Sequence, residues 1–291
     1  MHGITHLLGW RVGANAFIIM ILSVIYLHAW TMEKHCILMY HLGTGDGFTM
    51  YAAVRHYQTM YKAVHIFCLH RNRHTVTQLY QPYNTVIIHI VDDWDVVGPH
   101  TKLTQTFESQ SKPFDLLLCG NYYGLFEGSN GFWERFYGHL HLPYNMRYHY
   151  PDINRTKERE MALHNAVISK YGEKYIFLHD HRNIEYIHHA SRPNVHVASE
   201  LPVFHPNFNY YTDSEHNYRH LWSSEFMSDN LLDYCTLIEN ATEIHISDSA
   251  FSCLVPFLNL QNVKKKCIYT CYDVIGYHDA YRSWDVVERR S

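Results

Sequence analysis

The sequence predicts an α/β protein of two Rossmann-like domains facing each other across a cleft. Three observations carry that expectation. Short apolar runs of strand length alternate with stretches of helical apolar spacing, the pattern of parallel strands covered by helices. The alternation occurs twice, once from Cys36 and again from Lys174, with a stretch bearing Pro143 and Pro151 between. At 291 residues the chain has room for two such units, since domains usually run about 100–150 residues.

The elements follow in order. CILMYHL from Cys36 reads as a strand, GTGDG as a glycine turn, and Phe48 to Met60 as a helix with apolar residues at helical spacing. Apolar runs at 63–69, 85–91 and 114–119 read as further strands. GFWERFYGHL (131–140) has the look of an amphipathic helix, and 156–171 that of a longer one. The second series opens with the strand KYIFLHD, then the strand VHVAS, a helix over 230–240, the strand EIHIS, and a helix opened by Asp248 and Ser249. A strand-like run at 267–271 and a helix carrying Tyr281 and Trp284 close the chain. The expected division is an apolar N-terminal extension or membrane anchor over 1–31, one domain over 32–155, and a second over 156–291 ending in that helix.

Composition narrows the partners. A hydrophobic fraction of 47% with 18% charged residues describes a chain that folds nearly throughout. The net charge of -4, with Lys and Arg scattered, lacks the basic stripe that a nucleic-acid backbone demands, so nucleic acid is not an expected partner. The 25 histidines and 24 tyrosines offer flat apolar faces with polar tips, which suit hydroxyl-rich ligands. The cysteines sit mostly within apolar runs, without zinc-ribbon spacing, and read as buried thiols of a reducing, cytoplasmic compartment. Ala16 to Trp30 is apolar apart from Ser23 and His28. It falls short of the roughly 20 residues that span a bilayer, so a membrane association through 16–30 stands beside a buried helix as its reading.

Three motifs carry chemistry. In the first, Gly43, Thr44, Gly45, Asp46 and Gly47 lie between strand and helix. Glycines let backbone approach a ligand, a helix N-terminus offers N–H groups, and Asp46 projects at the carboxyl edge of the sheet, where open α/β sheets bind ligands. A tight turn with Asp46 as the helix cap is the equal alternative. The spacing matches neither the dinucleotide fingerprint nor a phosphate loop. The second motif crowds Ser247, Ser249 and Ser252 around a helix start, which suits a diphosphate, or an ordinary cap. In the third, His179 and Arg182 stand at the end of the strand opening the second half, where a guanidinium can neutralise a phosphate bidentately. Metal ligation by His179 and its neighbours is disfavoured, because adjacent strand residues face opposite ways, and no metal is expected. Glu200 and His205, in the Pro-bounded ELPVFHP, are weaker candidates for base or ribose contact.

LGTGDG followed by a helix bearing Arg55 resembles the opening of heptosyltransferase-type GT-B glycosyltransferases. FWERFYGHLHLPYNMRYHYPDINRTKERE, YIFLHD and LIENATEIHISDSAFSCLV are similar to segments of uncharacterised glycosyltransferase-like proteins of large viruses and microbes. The resemblance spans Cys36 to Cys271. It implies a GT-B fold with an acceptor side first and a donor side second, Asp46 at the catalytic base position, and IHISDSAFS in the nucleotide-sugar region. It further implies transfer of a sugar from a nucleotide-sugar donor to a hydroxyl acceptor, a glycan, with no cofactor. Thr44 and Gly47 depart from the family turn, and no basic triplet marks a heptose acceptor. The rival expectation is a non-catalytic carbohydrate- or partner-binding module that keeps the fold.

Overall fold

The computed structural model describes residues 17, 33–92, 98–120, 132–179, 197–206, 226–247, 249–270, 281 and 283–288. Apart from Phe17, the expected N-terminal extension up to residue 31 lies outside the described residues, as does Arg182. Among the described residues no helix is long and apolar enough to cross a membrane.

The chain is α/β with two parallel sheets. The first holds β1 (His35–Met39), β2 (Ala63–Leu69), β3 (Val86–Val91) and β4 (Phe114–Leu118) in the order β3-β2-β1-β4. The second holds β5 (Ile176–His179), β6 (Val203–Phe204), β7 (Glu243–Ser247), β8 (Lys265–Thr270) and β9 (Asp285–Glu288) in the order β6-β5-β7-β8-β9. The connecting helices are α1 (Thr44–Tyr57), α2 (Arg73–Tyr80), α3 (Pro99–Ser109), α4 (Phe132–His139), α5 (Lys157–Tyr171), α6 (Cys235–Asn240) and α7 (Ala250–Leu254).

Strand composition explains the layering. β2 is buried along its whole length, as a strand covered on both faces must be. Alternate residues serve different layers: Leu38, Val64 and Ile66 join the main core, whereas Ile37, Met39, Phe67 and Leu69 pack beneath Phe107 of α3. Helix ends are chemically marked. Asp46 lies in the first turn of α1 and Arg55 and His56 in its last, complementing the helix dipole. Pro99 opens α3, where its missing N–H costs nothing, and Gly172 ends α5 at φ +86°.

Several elements differ from expectation. α1 begins at Thr44, so most of the expected glycine turn is already helix, capped by Gly43 in an extended conformation. Neither Gly45 nor Gly47 has a positive φ; conformational freedom is not what selects them. The expected strand VHVAS shows no regular structure over 197–199, and the pairing passes to Val203–Phe204 inside the ELPVFHP loop. Residues 231–234 form a 3-10 turn ahead of α6. In place of a helix carrying Trp284, the chain ends its described course in β9, an edge strand paired with β8. The largest apolar cluster runs from Leu38 and Tyr51 into Phe177 and Ile246. Polar bonds add to this junction: Asn230 Nδ2 donates to Gln78 Oε1 at 2.6 Å, and Leu231 N to Thr75 Oγ1 at 2.9 Å.

Candidate functional site

Each sheet has a topological switch point, where successive connections leave a strand in opposite directions and open a crevice at the carboxyl ends. In the first sheet it lies between β1 and β4, and in the second between β5 and β7. The motifs found in the sequence sit at these two places.

At the first switch point, Tyr40 and His41 follow β1, and Cys119 and Gly120 follow β4. Gly120 is needed on two counts. Its φ is +73°, and a Cβ there would fall 2.7 Å from His41 Nε2. Its N–H donates to His139 Nδ1 at 3.2 Å, while the His41 ring meets Phe136 edge-on at 5.1 Å. Burial pushes the His41 imidazole down to about 4, so it is neutral near pH 7. His41 opens the glycine-rich motif of the sequence without a role assigned to it there, while Gly120 and His139 escaped sequence reasoning; the one available signal for them was a glycine directly after the LLLC run.

Asp46 is the third helical residue of α1 and is half-buried. Its carboxylate folds back over the helix start: a Cβ on Gly43 would lie 2.6 Å from Asp46 Oδ2. Burial holds the Tyr40 phenol well above its ordinary range, with the Cys68 thiol and then the Asp46 carboxylate adding to the rise. The carboxylate therefore stands near Tyr40, the residue that follows β1.

At the second switch point His179 ends β5, Ser247 ends β7, and His205 follows β6; all three are buried. The His179 ring lies 4.7 Å from that of Phe251 and 6.0 Å from that of His205. Ser249 and Ser252 form a capping box: Ser249 Oγ accepts from Phe251 N at 3.2 Å, and Ser252 Oγ accepts from Ser249 N at 3.1 Å. Ser247 differs from both. Its hydroxyl is buried and has no hydrogen-bond partner among the described residues, a state that ordinarily costs about 1–3 kcal/mol. Glu200 is not brought to this place. It precedes β6 on the exposed surface, next to Ser199, which bonds Glu243 at the amino end of β7. Arg182 lies outside the described residues.

The two junctions meet. α1 and α7 each start at a carboxyl edge, and Gly45 lies against the start of α7, where a Cβ would come within 3.2 Å of both Ala250 Cα and Cys253 Sγ. Gly45 is therefore selected by close helix approach. Gly45→Ala sets overpacking of about 1–3 kcal/mol against a helix-propensity gain of about 1 kcal/mol, so a net loss of up to about 2 kcal/mol is expected, read as a lower urea midpoint with unchanged slope. A raised midpoint would mean that the two helices part without resistance.

Among the described residues no group of His, Cys, Asp or Glu is arranged to hold a metal ion. No family model matches the sequence, and no curated protein matches it significantly. A solved structure similar to this chain is that of the glycosyl transferase family 9 protein from Veillonella parvula DSM 2008. The two share 9% sequence identity, over 89% of this chain and 88% of that one, with a TM-score of 0.49.

Proposed function

We propose that the chain is a glycosyltransferase that moves a sugar from a nucleotide-sugar donor to a hydroxyl acceptor, a glycan, with Asp46 as base and without a metal. The observation that carries this reading is the meeting of two strand-to-helix junctions, one from each sheet, through Gly45 and Ala250. Each junction lies beside a switch point, and in this reading the two crevices contribute to one ligand site. One brings a half-exposed carboxylate, the other a buried hydroxyl that still needs a partner.

The chemistry follows from those groups. Asp46 takes the acceptor proton as the acceptor oxygen attacks the anomeric carbon, and the bond to the nucleotide diphosphate breaks. Direct attack inverts the anomeric configuration. The departing diphosphate needs donors: Ser247, the backbone N–H of Ala250, which the capping box does not use, His179 and His205 from the second switch point, and Arg182 by the sequence argument alone. In this reading residues 32–155 form the acceptor side and 156–291 the donor side. Glu200, at the opposite sheet edge, has no part in it.

A thermal-shift panel of nucleotide sugars tests the reading, because a ligand at about 100 times its Kd stabilises by about 2.7 kcal/mol. One nucleotide family is expected to raise Tm; a flat panel would overturn the proposal. Ser247→Ala refines it. Removing an unpartnered buried hydroxyl should leave the free protein as stable or slightly more so, while weakening nucleotide affinity by about tenfold if the hydroxyl bonds the diphosphate. Unchanged affinity removes Ser247 from the site. The position of the Asp46 carboxylate over Gly43 favours a second reading, in which Asp46 is only a helix cap and the chain is a non-catalytic carbohydrate-binding module.

A further inference from the structure

Away from both switch points, three histidines from three neighbouring strands form one hydrogen-bonded chain. His35 Nδ1 lies 2.9 Å from His65 Nε2, and His65 Nδ1 lies 2.9 Å from His89 Nε2. Strand register puts them in line. His35 pairs with Ala63, two residues before His65, and Phe67 pairs with His89, so each ring is one pleat further along the same face. The rings lie 5.1 and 5.2 Å apart, and Phe107 of α3 meets His35 at 5.0 Å and His65 at 5.2 Å, both edge-on. α3 thus sits on the sheet through this chain, together with Leu103 and the apolar residues around it.

We propose that the His35–His65–His89 chain is an acid-sensitive latch, which holds α3 on the first sheet while it is neutral and releases it when the chain takes up protons.

The proton count gives the reason. Three neutral imidazoles carry three N–H groups, and the chain satisfies both inter-ring bonds with every ring donating in the same direction. One added proton leaves both bonds intact, since His65 can then donate on both sides. It nevertheless puts a charge on a ring that is 5% exposed. A second proton puts charge on two of the three rings, and whichever two carry it, one N–H must point at another across 2.9 Å. That bond becomes a repulsion.

The described surroundings offer no compensation. Lys62 precedes β2 and Lys112 follows α3, and both disfavour charge on His35; Lys112 also disfavours it on His65. α3 brings Lys102, which lines an open groove with His89, together with His100 and Glu108 elsewhere on the helix. Glu33 pairs with Lys62 at 3.7 Å. Asp115 of β4 is engaged by Lys34 at 3.1 Å and by the Tyr61 hydroxyl at 2.9 Å, and its register neighbour Cys36 belongs to the opposite layer. Among the described residues no carboxylate contributes to holding charge on any of the three rings.

All three imidazoles titrate below their ordinary value, chiefly through burial, and His65 is pushed down to about 4. A depressed histidine binds its proton more readily in the unfolded chain. Stability is therefore full above about pH 6.5 and falls as the pH drops toward 4.

Hydrogen–deuterium exchange of the full chain, corrected for intrinsic rates and followed from pH 7.5 to 4.5, tests the latch. Below pH 6.5 the protection of α3 amides should fall by roughly tenfold per pH unit for each net proton taken up. His65→Leu should flatten that dependence. If His65→Leu does not fold, His89→Gln, at the half-buried end, takes one titrating ring out of the chain and must still make it shallower. A wild-type α3 whose protection does not change with pH, or a folded variant that keeps the wild-type slope, overturns the proposal.

Discussion

Asp46→Asn is expected to lower the rate of sugar transfer by on the order of 10² to 10⁴ while leaving the fold and donor binding intact. Asn is nearly isosteric with Asp and can still accept a hydrogen bond at the start of α1. What it loses there is the favourable meeting of a carboxylate with the helix dipole, about 0.3–1 kcal/mol at a half-exposed position. The two readings of Asp46 thus separate by size and by observable. A cap role gives a small drop in Tm with transfer retained; a base role gives transfer nearly abolished at almost unchanged Tm. Product formation is followed by mass spectrometry once the thermal-shift panel has identified a donor. Retained transfer by a well-folded Asp46→Asn protein would end the assignment of Asp46 as base, without touching the donor site.

Much of this architecture is legible in the sequence, and the exceptions have physical causes. β2 runs over the residues its apolar run marks, because a strand buried on both faces reads as one continuous apolar segment. The start of α1 was hidden by Gly45 and Gly47, which argue against helix by propensity. The presence of Gly45 answers to a neighbour distant in sequence, the start of α7, rather than to the local backbone, whereas a Cβ on Gly47 would meet only Val76 at 3.8 Å. β6 has only two residues, and β9 is short with an acidic residue at each end; neither carries a periodic signal. Of the candidate site, the positions of Asp46, His179 and Ser247 at carboxyl strand ends followed from strand-then-helix order alone. That Ser249 and Ser252 are occupied with one another, while Ser247 lacks a partner, depends on side-chain geometry that no spacing reports. The histidine chain is equally silent: its members are 30 and 24 residues apart and meet only because their strands pair in parallel.

The largest loss of stability is expected from Arg155→Ala. Arg155 Nε donates to Glu160 Oε1 at 2.9 Å, with a second bond from Nη2 to Glu160 Oε2. The same guanidinium donates to both oxygens of Glu239, at 2.6 and 2.8 Å, and so clamps the first turn of α5 to α6. Glu160 is fully buried, with Thr236 Oγ1 donating to it at 2.6 Å and Lys157 Nζ approaching at 3.5 Å. Burial alone would push the Glu239 carboxyl up, but its bonds to Arg155 and to Asn259 N outweigh that and hold it below its ordinary value. Removing the guanidinium strands a carboxylate that water cannot reach, which typically costs about 3–5 kcal/mol. Arg155→Lys keeps the charge but not the planar fork that serves two carboxylates, so an intermediate loss is expected. The sign of the acid limb is also fixed. Because Glu239 is depressed, its contribution is complete above about pH 4.5 and disappears as the pH falls through its folded value, so Arg155→Ala should flatten that part of the profile. Glu160→Gln placed in the Arg155→Ala background should recover part of the loss, since a neutral amide is cheaper to bury than an unpaired carboxylate. Urea midpoints of the four proteins decide it. An Arg155→Ala protein within about 1 kcal/mol of wild type, or a double variant no better than the single one, would mean that water reaches Glu160 and that the clamp contributes little.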